Sequence, residues 1–315
     1  MNQSPTLTVE VQAYLNDRRH LGFALDREGS QLLAFARFAD THGYTGRLTE
    51  ELAVAWAQHG QSERLTSARR LDIVRRFAKY RLQFGFPTEI PAAGLFGPST
   101  RRLTPHIYET HEIEALLTTA ARLPCAKGLR GATYATLFGL LAATGLRLSE
   151  ALSLKRTEVD LTGGMLTLTQ TKFHRARVVP LHVSTTEALT QYALLRDRAI
   201  PCPLQKEVFF LSARGTQLDL RTVDYTFDRL RRQLGWQARG QHPAPRLQDL
   251  RHTFICRRLL TWYRQGIDID RSILALSTYV GHTQVTDTYW YITGIPELMA
   301  IAAQRFEQLA LRRTQ

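Results

Sequence analysis

Four short segments of the chain carry arginine, lysine, histidine and tyrosine side chains that could together bind an anionic substrate and react with it. They span residues 143–154, 170–180, 248–254 and 279–291. The flat guanidinium groups of Arg147 and Arg251 can each match two oxygens of a phosphate. A tyrosine hydroxyl has an unperturbed pKa of about 10, so nearby cationic groups must ease the loss of its proton if it is to attack phosphorus. A lysine ammonium can protonate the leaving oxygen. The combination is suited to phosphoryl transfer onto a tyrosine.

In order and spacing, the four segments resemble the catalytic boxes of the tyrosine recombinase family, which includes phage integrases, Xer-type recombinases and Cre. The resemblance covers about residues 107–295 and extends more loosely to the helical N-terminal part. It implies an enzyme that cleaves and rejoins DNA strands at specific sites through a 3′-phosphotyrosine intermediate. It also implies no cofactor and no metal, because the phosphotyrosine bond conserves the bond energy.

The resemblance assigns a role to each matching residue. Arg147 and Arg251 take the places of the family's two phosphate-binding arginines. Lys172 lies where the family has its mobile lysine, in the turn of a hairpin. His282 takes the place of the histidine in the Gly-His box, and Tyr291, nine residues later, takes the place of the nucleophile.

Two further residues are expected to support this site. Glu150 matches the acidic residue that buttresses the first arginine, and residues three apart on a helix share a face, so an ion pair with Arg147 is reasonable. His252 directly follows Arg251, and we expect it to support the site and not to catalyse.

Two positions leave alternatives open. The family normally has histidine three residues before the second arginine, and this chain has Gln248. Glutamine keeps a hydrogen-bond donor but cannot titrate, so we expect a phosphate contact without proton transfer; the alternative is reduced or lost activity. Tyr289 competes with Tyr291 as the nucleophile, and the nine-residue spacing from His282 favours Tyr291.

Three other classes of protein share part of the pattern. A type IB topoisomerase would use the same chemistry, but the extra basic segments expected of one are missing. A catalytically inactive DNA-binding partner is supported only by Gln248. An RNA-binding protein is compatible with the charge but is not suggested by the boxes. The Tyr-Trp-Tyr-Ile run from residue 289 and the Pro-Glu-Leu-Met run from 296 resemble recombinases of transposons and other mobile elements, which integrate, excise or resolve DNA.

The charge favours a polyanion as the partner, either nucleic acid or an acidic membrane, and the family resemblance implies double-stranded DNA. The formal net charge is +13, which suits a polyanion. The first 100 residues carry 12 Lys and Arg against 10 Asp and Glu, whereas the rest carry 29 against 18. Basic side chains beside the boxes and on one N-terminal helix are candidate DNA contacts, with a solvated protein surface as the alternative. These side chains are Arg69, Arg70, Arg76, Lys79, Arg175 and Arg177.

Apolar periodicity predicts a mainly α fold with a small β-sheet, an α+β arrangement. We expect a helical core-binding domain that clamps DNA over residues 1–95, a Gly- and Pro-rich linker over 96–106, and a catalytic domain with a C-terminal tail over 107–315. Strands at 165–169 and 176–181 should form a hairpin around Lys172. Residues 184–187 have the pattern of a capping box that opens the next helix.

The resemblance and the composition also suggest an assembly and a location. The apolar tail beyond Tyr291 is expected to dock on a neighbouring protomer in a homotetramer on paired DNA sites, or else to pack on its own domain. No run of 18 apolar residues and no signal-peptide pattern occurs, and the three cysteines are far apart. These features favour a protein without membrane contact in the bacterial cytoplasm, associated with the nucleoid.

Overall fold

A computed structural model describes residues 6–60, 63–125, 128–169 and 176–293. The chain divides into two compact units, Met1–Arg102 and Leu103–Gln315, and the division falls inside the segment predicted to be a linker. The expected fold class, mainly α with a small sheet, is confirmed. The assignment of a DNA-clamping role to the first unit stays a prediction. No helix in the described part of the chain is long and apolar enough to cross a membrane.

In the described part of the first unit, four helices surround one apolar core. They are α1 Leu7–His20, α2 Asp26–Thr41, α3 Glu50–Gln58 and α4 Arg64–Gln83. Phe35, Val74 and Phe77 are fully buried at the centre of this core. Thr49 begins α3, because its side-chain oxygen accepts a hydrogen bond from the backbone N–H of Leu52 at 3.3 Å and so satisfies an N–H that the first turn leaves unpaired.

The second unit contains eight helices among its described residues. They are α5 Thr110–Ala121, α6 Leu129–Thr144, α7 Leu148–Leu152, α8 Val183–Ala199, α9 Leu220–Gln233, α10 Asp249–Gln265, α11 Ile269–Val280 and α12 Thr286–Thr293. The buried helix α6 contributes Leu137, Phe138 and Leu141 to the main core. A smaller apolar cluster joins α10, α11 and α12, and Tyr291 belongs to it.

A three-stranded antiparallel sheet lies in the second unit. Its strands are β1 Val159–Asp160, β2 Met165–Leu168 and β3 Arg177–Pro180, in the order β1-β2-β3. Strands β2 and β3 form the predicted hairpin, in which Leu168 pairs with Arg177. Strand β1 was not predicted, because two residues are too few to show an alternating pattern. Lys172 and Arg175, in the turn of the hairpin, lie outside the described residues.

The start of α8 differs from the prediction. The helix begins at Val183, and its N-cap is His182, whose Nδ1 accepts from the backbone N–H of Ser184 at 3.3 Å. Ser184 therefore lies inside the first turn. The capping-box pattern was right about a helix start here but wrong about the residue that caps it.

Candidate active site

Arg147 stands at the N-terminus of the short helix α7 and joins it to the end of α11. Its Nη1 donates to Oε1 of Glu150 at 3.0 Å, and its Nη2 donates to the carbonyl oxygen of Gly281 at 2.9 Å. Glu150 also accepts from the backbone N–H of Arg147 at 3.0 Å. The guanidinium is therefore held in position from two sides, although 23% of the side chain remains exposed.

Gly145 connects α6 to this region and needs to be glycine. Its φ is +64°, a left-handed conformation that only glycine adopts easily. A Cβ there would come within 2.6 Å of the Phe254 ring. The turn directs the carbonyl oxygen of Gly145 at Arg251, whose Nη1 donates to it at 2.7 Å.

Arg251, in the first turn of α10, carries a positive charge inside the protein. Only 3% of the residue is exposed, and its Nη2 has no hydrogen-bond partner among the described residues. Burial, with the positive charge of Arg147 next in size, lowers the pKa of Arg251 to about 10. A buried donor left unpaired costs about 1–3 kcal/mol. The pair of guanidiniums therefore forms a place where a bound anion would be stabilised.

His282 lies just past the end of α11 beside the same two arginines. Its Nδ1 is 2.7 Å from Oγ1 of Thr288, a fully buried residue of α12. Burial first, then the charges of Arg251 and Arg147, lowers the pKa of His282 to about 3. The imidazole is therefore neutral, and its ring lies parallel to that of Tyr291 with 6.3 Å between the centroids.

Tyr291, on α12, is directed into the protein next to these groups. Only 3% of the residue is exposed. Its hydroxyl is 2.6 Å from Nδ1 of His252, and the arrangement brings the phenol close enough to Arg251 for the two charges to interact. Three separate elements, α10, the end of α11 and α12, thus converge on the phenol.

Tyr289 has different surroundings. It is 37% exposed, and its hydroxyl donates to Oδ1 of Asp270 at 3.1 Å, which raises its pKa. Residues two apart on a helix point in directions about 200° apart, so only one of the two tyrosines can face Arg251 and the histidines. The described geometry favours Tyr291.

Arg177, on β3, was predicted to contact DNA, but its guanidinium is engaged inside the protein. It donates to both carboxylate oxygens of Glu150, at 3.0 and 2.9 Å. It also donates to the carbonyl oxygens of Tyr279, at 3.0 Å, and Val280, at 3.3 Å. A Cβ at Gly281 would come within 2.6 Å of this guanidinium, and the φ of Gly281 is +72°. Arg177 therefore ties β3 and α7 to the end of α11.

The carboxylate of Glu150 is the shared acceptor in this arrangement. Burial raises its pKa, but hydrogen bonds from Arg177 and from the backbone of Arg147 outweigh burial and hold the pKa below its ordinary value. Glu150 is therefore ionised at neutral pH and neutralises part of the charge of Arg147 and Arg177.

Gln248, Lys172 and Arg175 are the remaining residues that the sequence placed in or beside this site. Gln248 is exposed and immediately precedes α10. Lys172 and Arg175 lie outside the described residues, so their predicted roles gain no geometric support. Within the described ranges, no group of three or more His, Cys, Asp or Glu side chains could hold a metal ion.

The predicted DNA contacts of the first unit lie on α4, and three of them bond within that unit. Arg69 donates to the carbonyl oxygen of Ser99 at 3.2 Å, and Arg70 donates to that of His59 at 2.8 Å. Arg76 pairs with Glu28 at 3.3 Å on an exposed surface. Lys79 is exposed.

Sequence reasoning missed two contacts of the site and gave a third residue a lesser role. Thr288 bonds His282, Gly145 presents its carbonyl oxygen to Arg251, and His252 contacts the hydroxyl of Tyr291 directly. His252 was expected to be only a support. Gly145 was visible as a glycine after a helix, but no local pattern identifies the partners of Thr288 or His252.

Comparisons with known proteins agree with the chemistry of the site. Residues 107–295 match the phage integrase family. The protein y4rB of Sinorhizobium fredii, described as an integrase/recombinase, is 40% identical over 96% of this chain and 98% of its own length. Tyrosine recombinase XerC of Stutzerimonas stutzeri is 27% identical over 88% of each chain.

Solved structures of recombinases have the same fold. The XerH site-specific recombinase, bound to its difH substrate, superimposes with a TM-score of 0.64 and 17% identity over 95% of this chain and 85% of its own. The Tn1549 transposon integrase, in complex with transposon right-end DNA, has a TM-score of 0.67 and 16% identity over 97% and 100%. At such identities the likeness establishes the fold alone. Because the family match covers more than half of the chain and a relative with 40% identity spans nearly all of it, the chain belongs to the phage integrase family and is a tyrosine-type site-specific recombinase.

Proposed function

We propose that Tyr291 attacks a scissile phosphodiester of double-stranded DNA and forms the 3′-phosphotyrosine intermediate. One observation carries this proposal: Arg147, Arg251, His282 and Tyr291 come from three distant stretches of sequence and meet at one place. The buried phenol interacts with Arg251, which in turn lies close enough to Arg147 for their charges to interact, and attack on an anionic phosphate needs such a cationic setting.

Arg147 and Arg251 bind the non-bridging oxygens of the scissile phosphate. Attack builds negative charge on these oxygens, and donors already held in place stabilise that charge without reorganising. The fixation of Arg147 by Glu150 and Gly281, and the unpaired Nη2 of Arg251, support this assignment.

The remaining predicted residues complete the reaction. Lys172 protonates the leaving 5′ oxygen, and Gln248 donates a hydrogen bond to the phosphate without changing its own charge. His282, neutral and fixed by Thr288, contributes a further hydrogen bond at the phosphate. Rejoining is the reverse process, with a 5′ hydroxyl attacking the phosphotyrosine.

Double-stranded DNA is the partner in this proposal. The relatives XerH and Tn1549 integrase were solved bound to DNA, and the formal charge of +13 suits a polyanion. Additional phosphate contacts come from Arg69, Arg70, Arg76, Lys79 and Arg175, whereas Arg177, with a 9% exposed side chain bonded to Glu150, supports the site from inside the protein.

The assembly is a homotetramer on two paired DNA sites, in which C-terminal tails dock on neighbouring protomers. The reaction integrates, excises or resolves a mobile element, and the likeness to the Tn1549 transposon integrase supports that setting. We place the protein in the bacterial cytoplasm, on the nucleoid, where its DNA lies.

Trapping the covalent intermediate tests the nucleophile. Wild-type protein is incubated with nicked duplexes taken from the DNA that flanks its own gene, and products are resolved on denaturing gels. We expect a covalent protein–DNA band that Tyr291→Phe abolishes, whereas native gels show that this variant still binds DNA. Tyr289→Phe is the matched control and should keep the band, because its hydroxyl contacts Asp270 and not the site.

Two results would count against the proposal. A band that survives Tyr291→Phe and disappears in Tyr289→Phe would make Tyr289 the nucleophile. Wild-type protein that binds the flanking DNA tightly but never becomes attached would favour an inactive DNA-binding partner.

A further inference from the structure

The hydroxyl of Tyr291 is hydrogen-bonded to a histidine other than the one in the Gly-His box. Nδ1 of His252 lies 2.6 Å from the phenolic oxygen, and the two ring centroids are 5.5 Å apart. His282 uses its own Nδ1 for Thr288, at 2.7 Å. Of the two histidines near Tyr291, His252 is therefore the one in position to exchange a proton with the phenol.

The hydrogen bond between Tyr291 and His252 has a favoured direction. Burial first, then the positive charges of Arg246 and Arg251 and the nearby His242, lowers the pKa of His252 to about 4, against the opposing charge of Asp249. The ring is neutral at physiological pH, so one of its nitrogens is an acceptor. Phenol is the stronger acid and imidazole the stronger base of the pair. Tyr291 therefore donates, and Nδ1 of His252 accepts.

We propose that His252 accepts the phenolic proton of Tyr291 during strand cleavage, an inference that rests on the proposed function. The bond from Oη of Tyr291 to phosphorus forms while the bond from phosphorus to the 5′ oxygen breaks. The proton on Oη passes to Nδ1 of His252, and the 5′ oxygen takes a proton from Lys172. In the joining step the same proton returns from His252 to the departing phenol oxygen.

Two features of the site make this transfer feasible for a weakly basic histidine. A phenol oxygen that is forming a bond to phosphorus becomes far more acidic than free phenol, so a weak base suffices late in the step. The entering phosphodiester also brings negative charge next to Arg251, which offsets the cationic field at His252. Gln248, which stands where the family has histidine, cannot titrate and cannot take over the role.

Two half-reactions, cleavage and joining, can distinguish a role of His252 in proton transfer from a role in supporting the fold. Cleavage of a nicked duplex requires attack by Tyr291. Joining of a strand that ends in a 3′-p-nitrophenyl phosphate to a 5′ hydroxyl bypasses Tyr291, because p-nitrophenolate leaves without a proton. Both rates are measured under single-turnover conditions with the full chain, for wild type, His252→Phe and His252→Asn.

We expect His252→Phe to slow cleavage by about 10²–10⁴-fold, the usual contribution of a general base, and to leave the joining rate unchanged. His252→Asn keeps an acceptor near the Nδ1 position but cannot hold the proton, so it should also be slow in cleavage and normal in joining. Without an internal base the phenol must ionise first. The cleavage rate of either variant, divided by that of wild type, should therefore rise about tenfold per pH unit between 7 and 9, below the phenol pKa of about 10.

Three outcomes would overturn the inference. Cleavage at the wild-type rate in His252→Phe would show that the proton goes elsewhere. Full activity in His252→Asn would reduce the residue to a hydrogen-bond acceptor that positions the phenol. Equal slowing of cleavage and joining would indicate a structural role. If His252→Phe does not fold, His252→Asn alone decides. Failure of the wild-type chain to cleave, by contrast, would contradict the proposed function itself.

Discussion

The side chains of the site combine buried positive charge with neutral histidines, an environment that favours an anion. Two neutral histidines lie near these cations. Burial first, then the charges of Arg251 and Arg147, holds the pKa of His282 at about 3, and burial first, with the charges of Arg246 and Arg251, holds that of His252 at about 4. A phosphodiester bound beside Arg251 and Arg147 would offset the mutual repulsion of the two guanidiniums and would offer an acceptor to Nη2 of Arg251. Binding of the substrate and stabilisation of the site are thus the same event.

The replacement at Gln248 can be tested at this scale. Gln248→His should cleave DNA as fast as wild type or up to about tenfold faster. General acid–base help is typically worth about 10²–10⁴-fold, but in the proposed mechanism Lys172 already supplies the proton to the leaving oxygen. Single-turnover cleavage of the nicked duplex measures the rate.

Gln248→Leu is the matched control, since it keeps a similar volume but removes the donor, and it should be slower than both. If Gln248→His cleaves DNA more than about tenfold more slowly than wild type, general acid–base help cannot explain the change. Such a result would mean that the pocket is shaped around glutamine.

At the scale of elements, the ion pair of Arg177 and Glu150 connects β3, α7 and the end of α11. The carboxylate is 2% exposed and receives two hydrogen bonds from Arg177 and two from Arg147. The same ends of α7 and α11 carry Arg147 and His282. We therefore infer that the pair positions both residues, while the sheet supplies the rigid support.

Removal of one partner of this ion pair should be costly. Arg177→Met leaves the buried carboxylate of Glu150 with only Arg147 as a cationic partner, and breaking a buried pair typically costs about 3–5 kcal/mol. We expect a loss of that order in the free energy of unfolding, measured by urea denaturation at neutral pH.

The double variant Arg177→Met with Glu150→Gln provides the control. Because no uncompensated charge remains on Glu150, it should be less destabilised than the two single variants combined. Losses that add to within about 0.5 kcal/mol would show that the two side chains do not interact energetically.

At the scale of the whole molecule, positive charge is distributed unevenly between the two units. The first 100 residues have 12 basic and 10 acidic side chains, and the rest have 29 and 18. In the first unit, Arg69, Arg70 and Arg76 are also engaged by protein atoms. Most of the electrostatic contact with DNA should therefore come from the second unit.

A salt titration of DNA binding tests this distribution. Each phosphate contact contributes about −0.9 to the slope of log K against log salt. A fragment of residues 103–315, shown by circular dichroism to be folded, should keep more than half of the slope of the full chain while losing affinity.

Lys79→Gln in the full chain is a local control, and it should change the slope by no more than about 0.9. A fragment slope below half of the full-chain value would make α4 the main phosphate clamp, in spite of the internal contacts of its arginines.

The sequence by itself determined the features that depend on short-range pattern. Apolar periodicity predicted most helices, such as α3 with its Thr49 cap, and the alternation around Lys172 predicted the β2–β3 hairpin. The four catalytic boxes and the nine-residue spacing from His282 to Tyr291 were enough to identify the family. Helix caps and strand alternation are local, because each is set by residues within about ten positions of one another. The family resemblance rests on the order of the four boxes along residues 143–291.

Only the tertiary structure decided which side chains meet. Arg147 bonds Gly281 across 134 residues, Arg177 bonds Tyr279 across 102, and His252 reaches Tyr291 across 39. The sequence pattern does not encode such pairs. A buried polar group must find a partner within the protein because it has lost water, and which partner it finds depends on how separate elements pack. For that reason the sequence could suggest Arg177 as a DNA contact and His252 as a support of the site, but it could not identify the partners that the packing of α7, α10, α11 and α12 places within hydrogen-bond distance.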